Sequence, residues 1–130
     1  MGIILSEKEI ESVVKLTPFD RYKYFLKRVA DTERMYTLVN GNNEYALSEV
    51  EGDFFFSIWP FSEYALLSAV KEWSDYSPKE ITLDEFEEDM INLIEQNNYL
   101  INVFSIDAKA GFVVNLMEFA RDLSDELKKY

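Results

Sequence analysis

The sequence predicts an α+β fold: a single domain, residues 1–130, in which helices pack against an antiparallel sheet of about five strands, in the order ααβββααββα. Three observations carry this. Apolar residues recur at helical spacing in several segments, and the runs between them are short, β-prone and bounded by turn residues. Strands fall in groups and do not alternate with helices, which argues against a parallel βαβ sheet. Finally, 48% of the 130 residues are hydrophobic and 15% aromatic, enough to build a core despite the charge.

The elements follow in order. Ser6-x-x-Glu9 is a capping box, opening a short helix with Ile10, Val13 and Val14 on one face. Thr17 and Pro18 start a second helix as N-cap and first turn. Its apolar stripe is Phe19, Tyr22, Phe25, Leu26 and Val29, and it should stop near Asp31. Met35 to Asn40, Tyr45 to Ser48 and Phe54 to Trp59 then read as a three-stranded antiparallel meander. Gly41-Asn42-Asn43 and Glu51-Gly52-Asp53 are its turns. Pro60 starts a helix through Trp73, with Leu66, Ala69, Val70 and Trp73 at helical spacing, and Tyr76-Ser77-Pro78 breaks it. Thr82-x-x-Glu85 is a second capping box, before a helix with Leu83, Phe86, Met90, Leu93 and Ile94 on one side and Asn97-Asn98 at its end. Tyr99 to Ile106 reads as a strand, Asp107 to Gly111 as a hairpin loop and Phe112 to Val114 as the returning strand. Asn115-x-x-Glu118 opens a terminal helix with Leu116, Phe119, Ala120, Leu123 and Leu127 inward.

Two absences narrow the chemistry. Without cysteine there are no disulfides, thiolate metal sites or cysteine nucleophiles. Without histidine there is no Ser-His-Asp triad and no imidazole ligand. No cofactor, metal centre or catalytic residue is expected, and the G-x-G-x-x-G and G-x-x-x-x-G-K-[ST] phosphate loops are missing. The first residues lack the basic start and apolar stretch of a signal peptide, and no window approaches the length of a membrane span. Together with the missing cysteines, this places the chain in the cytoplasm.

Thirteen basic residues stand against 25 acidic ones, for a net charge of −12. Such a surface repels nucleic acid and anionic membranes and attracts basic partners. Residues 15–34 run the other way: Lys15, Arg21, Lys23, Lys27, Arg28 and Arg34 outnumber Asp20, Asp31 and Glu33.

Three candidate sites stand out. Arg21, Lys23, Lys27 and Arg28 lie outside the apolar stripe of the second helix, beside Tyr22 and Tyr24. They suit a phosphate or an acidic peptide, or else form a solvated face paired with acids. Trp59-Pro60-x-x-Glu63-Tyr64 marks a corner between strand and helix. Trp59, Glu63 and Tyr64 form a partner surface there, or Trp59 plugs the core. Asp84, Glu85, Glu87, Glu88 and Asp89 offer oxygen ligands for Mg²⁺ or Ca²⁺. The neighbouring apolar positions 83, 86 and 90 leave these acids facing water, with the first of them matched to the helix dipole.

Arg21-Tyr22-x-Tyr24-Phe25-x-Lys27-Arg28-Val29-Ala30-Asp31 resembles the opening of an uncharacterised bacterial family, domain of unknown function 2750 (DUF2750). Ile58-Trp59-Pro60, Glu63-Tyr64-Ala65, Trp73, Ile81-x-Leu83-Asp84-x-Phe86, Val103-Phe104 and Gly111 extend the resemblance, in order, over roughly residues 6 to 127. The family pattern often has histidine after Trp-Pro, where this chain has Phe61, and tryptophans where it has Tyr36 and Tyr45. The resemblance implies a small bacterial cytoplasmic protein and supplies no activity.

The leading expectation is therefore a non-enzymatic, acidic protein-binding domain of inhibitor or immunity type, with a basic protein as partner; a homodimer is also compatible. The alternatives are a small-molecule or anion sensor using Arg21, Tyr22 and Tyr24, and an enzyme working through carboxylates, tyrosines and lysines.

Overall fold

A computed structural model of the chain describes residues 5–106 and 110–129. The fold is α+β. Helices α1 (Glu7–Val14) and α2 (Pro18–Thr32) precede strands β1 (Arg34–Val39), β2 (Leu47–Val50) and β3 (Asp53–Ile58). Helix α3 (Ser62–Leu67), a 3₁₀ turn (Lys71–Trp73) and β4 (Ser77–Thr82) follow. The next helical stretch is α4 (Leu83–Glu85), a π-helical turn (Phe86–Met90) and α5 (Ile91–Asn97). The chain continues through β5 (Leu100–Val103), β6 (Phe112–Val114) and α6 (Leu116–Leu127).

Four helix starts are those the sequence predicts, whereas α3 begins at Ser62 and not at Pro60. Ser6, Thr17, Thr82 and Asn115 each accept a hydrogen bond from the backbone N–H three residues on. At Thr82 the box is complete, because Glu85 accepts from the Thr82 N–H in return. Helix α2 ends at Glu33 in the left-handed region, φ 61°, whose N–H returns to the Val29 carbonyl.

The strands depart from the predicted meander. β2 and β3 form the expected hairpin, but β1 pairs along its length with β4, from Arg34↔Thr82 to Val39↔Ser77. β1 meets the other sheet at two bridges, Tyr36↔Trp59 and Val39↔Tyr45. The larger sheet has the order β2-β3-β5-β6, with β3 and β5 parallel. Pro78 reads as a helix breaker in the sequence. In the fold it stands in β4, opposite Leu38, at the edge of a two-stranded sheet, where a residue without N–H is tolerated. The helix expected from Pro60 through Trp73 stops at Leu67. Leu66 and Leu67 are exposed, and the Ser68 hydroxyl donates to the Ser105 carbonyl at 3.0 Å, where the chain turns away. Residues 107–109 of the expected Asp107–Gly111 loop lie outside the described residues; β6 returns beside β5 as expected.

One face of the larger sheet presents Phe56, Ile58, Ile101, Val103 and Val114, all buried. Helices α2, α5 and α6 belong to the same core, which closes on Phe119 between Phe25 and Phe86, with ring centroids 5.9 and 5.5 Å apart. Phe19, expected in the α2 stripe, is instead 52% exposed against Phe112. Among the described residues, no helix is long and apolar enough to cross a membrane.

Candidate functional site

The second helix and the Trp59 corner, distant in sequence, meet in space. Tyr24 and Arg28 are four residues apart on α2 and so share a helix face. Beside them lie Phe61, at the N-cap position of α3, and Tyr64, one turn into it. Glu9 comes from α1. Its backbone N–H is capped by Ser6, but its carboxylate leaves the capping box and turns to α2. Arg28 Nη2 donates to Glu9 Oε2 at 2.6 Å, and the Tyr24 hydroxyl donates to the same oxygen at 2.5 Å.

Since Tyr24 spends its proton on Glu9, Tyr64, whose hydroxyl is 3.2 Å away, is the donor to Tyr24. Behind this relay stands an aromatic layer. Tyr64 and Tyr24 meet edge to face, the Phe104 ring lies 4.7 Å from Tyr64, and the Arg28 guanidinium sits over Tyr24 and Phe61 at 5.4 and 6.0 Å. Burial pushes the Tyr24 hydroxyl well above its ordinary pKa, and its donation to the Glu9 carboxylate reinforces this. For Glu9, burial raises the pKa, but the bonds from Tyr24 and Arg28 and the charge of Arg28 together outweigh it and leave the carboxyl below its usual range. The site therefore holds an ionised carboxylate against a guanidinium and a neutral phenol. An open groove of about 410 Å³ adjoins it, lined by Tyr24, Lys27, Arg28 and Asp31.

The wall behind the site is strained. Phe104 has φ 63°, unusual for a bulky residue. Its carbonyl accepts from Arg21 Nε at 3.1 Å, and its N–H bonds the Ile58 carbonyl. Gly111 lies against this bend so closely that a Cβ would stand 2.1 Å from the Val103 carbonyl oxygen.

A family model described as "Protein of unknown function (DUF2750)" matches residues 22–123. The chain belongs to this family. A search of curated proteins found no match. The DUF2750 segment contains Tyr24, Arg28, Phe61, Tyr64 and Phe104, whereas Glu9 and all of α1 precede it. Phe61, the position where the resembling pattern often has histidine, is 7% exposed and packs on Tyr64.

Of the residues expected at a site, the fold brings together Tyr24, Arg28 and Tyr64. Arg21 does not join the exposed basic face. It is buried, and besides Phe104 its guanidinium donates to the carbonyls of Leu16 and Ala110. Tyr22 is buried elsewhere, stacked on Phe112 and donating to Asp122 Oδ2 at 2.7 Å. Trp59 and Tyr64 are not surface residues. Both are fully buried, and Trp59 Nε1 donates to the Ser105 carbonyl at 2.7 Å. Glu63 is the exposed member of that corner. Asp84, Glu85, Glu87, Glu88 and Asp89 all face solvent, and among the described residues no group of three or more acidic side chains is disposed to hold a metal.

Sequence reasoning missed Glu9, Phe61 and Phe104. Glu9 was legible as a capping residue and gave no sign that its carboxylate turns to α2. For Arg21 a signal existed: it precedes Phe25 by one helical turn and so shares the face of a core residue.

Proposed function

We propose that this chain is a non-enzymatic binding domain, and that its recognition site is the groove at Tyr24, Lys27, Arg28 and Asp31, which takes a carboxylate or a similar small oxyanion. The observation that carries this reading is the convergence of the Arg28 guanidinium and the Tyr24 hydroxyl on one carboxylate oxygen beside an open groove. Charge-assisted bonds of this kind are the strong ones, and a rigid aromatic wall fixes the donors beforehand. The neutral phenol, held protonated by its surroundings, serves as donor and not as base. The net charge of −12 opposes anions at long range, so recognition here depends on contact.

The test is an amide NMR titration of the full chain with glutarate and, separately, inorganic phosphate at constant ionic strength. Saturable shifts centred on Tyr24, Arg28 and Asp31, lost in Arg28→Gln, are expected. Shifts scattered over the surface, or equal in Arg28→Gln, reject the site.

A second reading, an inhibitor-like domain that engages a basic protein, draws on the acids at 84–89. Glu87, Glu88 and Asp89 project from a π-helical turn, a rare conformation often found at functional sites. Charge reversal at these three positions should abolish capture of a basic partner and leave glutarate binding unchanged.

A further inference from the structure

We propose that Asn40-Gly41 is a site of spontaneous deamidation, that Glu44 holds it in check, and that conversion of Asn40 to an acid unfastens one of the joints between the two sheets. The inference does not depend on the oxyanion reading above.

Asn40 is the one asparagine in the sequence that glycine follows. Glycine offers a backbone nitrogen with no side chain beside it, so that nitrogen approaches the preceding amide carbon with the least obstruction. The pair lies in an exposed turn. The Asn43 N–H bonds the Asn40 carbonyl at 3.1 Å, and Asn43 takes the left-handed conformation, φ 59°. Gly41 is exposed, nothing stands within 4 Å of where its Cβ would lie, and no hydrogen bond of this turn uses its N–H. The reaction needs water alone. The Gly41 nitrogen loses its proton and attacks Asn40 Cγ; the N–Cγ bond forms, the Cγ–Nδ2 bond breaks and ammonia leaves with the proton. Water then opens the cyclic imide at either carbonyl, giving aspartate or isoaspartate.

The folded turn opposes that attack. Asn40 Oδ1 accepts from the N–H groups of Asn42 and Glu44 at 2.9 and 3.0 Å, and Asn40 Nδ2 donates to Glu44 Oε1 at 2.9 Å. Two donors on one atom and a carboxylate on the other fix which is oxygen and which is nitrogen. Ring closure makes Cγ tetrahedral and expels Nδ2, so the bond to Glu44 has to break. The Glu44 carboxylate also disfavours negative charge on the Gly41 nitrogen and on the intermediate.

The product no longer fits the turn. An acid at position 40 sets an oxygen where Nδ2 donated, facing Glu44 Oε1, and two carboxylates repel each other there. Isoaspartate adds a carbon to the main chain between the Asn40 N–H, which bonds the Glu44 carbonyl at 3.0 Å, and the next residue. This turn carries Val39↔Tyr45, one of the two bridges by which β1 meets the larger sheet, and Ala46 N–H bonds Leu38 just behind it. Tyr45 in turn packs on Phe56 at 5.3 Å.

The full chain is incubated at mildly alkaline pH as wild type, Glu44→Ala and Gly41→Ala, with a synthetic peptide of residues 36–46 as reference. Mass spectrometry of the fragment carrying Asn40 separates amide from acid. Acid should accumulate in wild type more slowly than in the peptide, and about fivefold faster in Glu44→Ala, the equivalent of one ordinary hydrogen bond. Gly41→Ala should convert least, since its methyl group hinders ring closure. Conversion of the peptide with none in wild type or Glu44→Ala overturns the site; equal rates in wild type and Glu44→Ala overturn the role of Glu44. Amide hydrogen exchange in Asn40→Asp and Asn40→Asp/Glu44→Gln tests the joint. The Ala46 amide should exchange about tenfold faster in Asn40→Asp, the equivalent of one bond to a charged group, while the Phe104 amide keeps its protection. The double variant, which again sets a donor against an acceptor, should restore slow exchange. Unchanged exchange in Asn40→Asp overturns the unfastening, and failure of the double variant to restore it removes the clash with Glu44 as the cause.

Discussion

Arg21 Nε donates to the carbonyl of Phe104 at 3.1 Å, joining α2 to the end of β5 across 83 positions of sequence. Its other nitrogens reach the carbonyls of Leu16 and Ala110, so one guanidinium serves three backbone segments. Phe104 holds φ 63°, a conformation that costs on the order of 1–3 kcal/mol and persists when its surroundings over-determine it. Arg21→Ala should therefore lose roughly 2–4 kcal/mol, since it orphans buried carbonyls. Arg21→Lys should recover less than half of that, because an ammonium cannot reproduce the planar fork. Urea midpoints converted to free energy give the answer; full recovery in Arg21→Lys would show that charge alone matters there.

Gly111 supports the same bend from the other side. A Cβ at this position would meet the Val103 carbonyl oxygen at 2.1 Å and Phe104 backbone carbon at 2.7 Å, and backbone cannot rotate away as a side chain can. Gly111→Ala should cost ~3 kcal/mol or more. Gly41→Ala, with nothing within 4 Å, is the control and should stay within ~0.5 kcal/mol of wild type. Similar melting temperatures for the two variants would contradict the close approach.

Phe25, Phe86 and Phe119 are 0%, 2% and 0% exposed, as their helical stripes predict. Each Phe→Ala change should cost ~3–5 kcal/mol. Because Phe119 touches both other rings, Phe25→Ala/Phe119→Ala should cost less than the two single losses added, the second truncation falling beside a cavity already open. Single losses under ~1 kcal/mol, or strict additivity, would argue against a shared contact.

Local signals account for much of this fold. The caps at Ser6, Thr17, Thr82 and Asn115 and the stripes through Phe25, Phe86 and Phe119 are read from residues within one or two turns of each other, and they hold. What failed depended on distant partners. β1 and β4 pair across an intervening hairpin and helix, and Pro78 conceals β4 because proline punctuates helices far more often than it stands in an edge strand. The site was half legible. Tyr24, Arg28 and Tyr64 attracted notice for their chemistry, but nothing in the periodicity says that positions 9, 24, 28, 61, 64 and 104 converge. The same blindness left Trp59 and Tyr64 open between a partner surface and the core: aromatic residues with polar tips suit interfaces, and they suit a core that supplies a partner for the tip equally well.

Glu9 gives a pH prediction. Burial alone would raise its pKa, yet the bonds from Tyr24 and Arg28 and the charge of Arg28 leave it lower than in an unfolded chain. A depressed folded pKa stabilises the fold above the unfolded value, about 4.3 for glutamate, and the contribution disappears as pH falls through the folded value. Wild type should thus be more stable than Glu9→Gln at pH 7, with the gap closing below about pH 4. Chemical denaturation of both proteins at pH 7, 5 and 3 measures it; a gap that widens on acidification would reverse the sign and remove the Glu9–Arg28 pair as its cause.

The corner after β3 separates a packing role from a hydrogen-bonding role. Trp59 is fully buried, meets Trp73 edge to face at 6.4 Å and donates to the Ser105 carbonyl. Tyr64 is equally buried, but its hydroxyl ends in the relay through Tyr24 to Glu9. Trp59→Ala and Tyr64→Ala should each cost ~3–5 kcal/mol, the ordinary range for a buried large aromatic. Tyr64→Phe keeps the ring and deletes only the hydroxyl; Tyr24 then loses a donor while its own bond to Glu9 persists, so the cost should be ~0.5–1.5 kcal/mol. Glu63→Lys, on an exposed side chain in the same helix, should change stability by less than ~0.5 kcal/mol. These four variants, melted under one set of conditions, should rank in that order. If Tyr64→Phe were as damaging as Tyr64→Ala, the hydroxyl relay and not the ring would hold the corner together, and the aromatic layer could not be the fixed wall on which the oxyanion site depends.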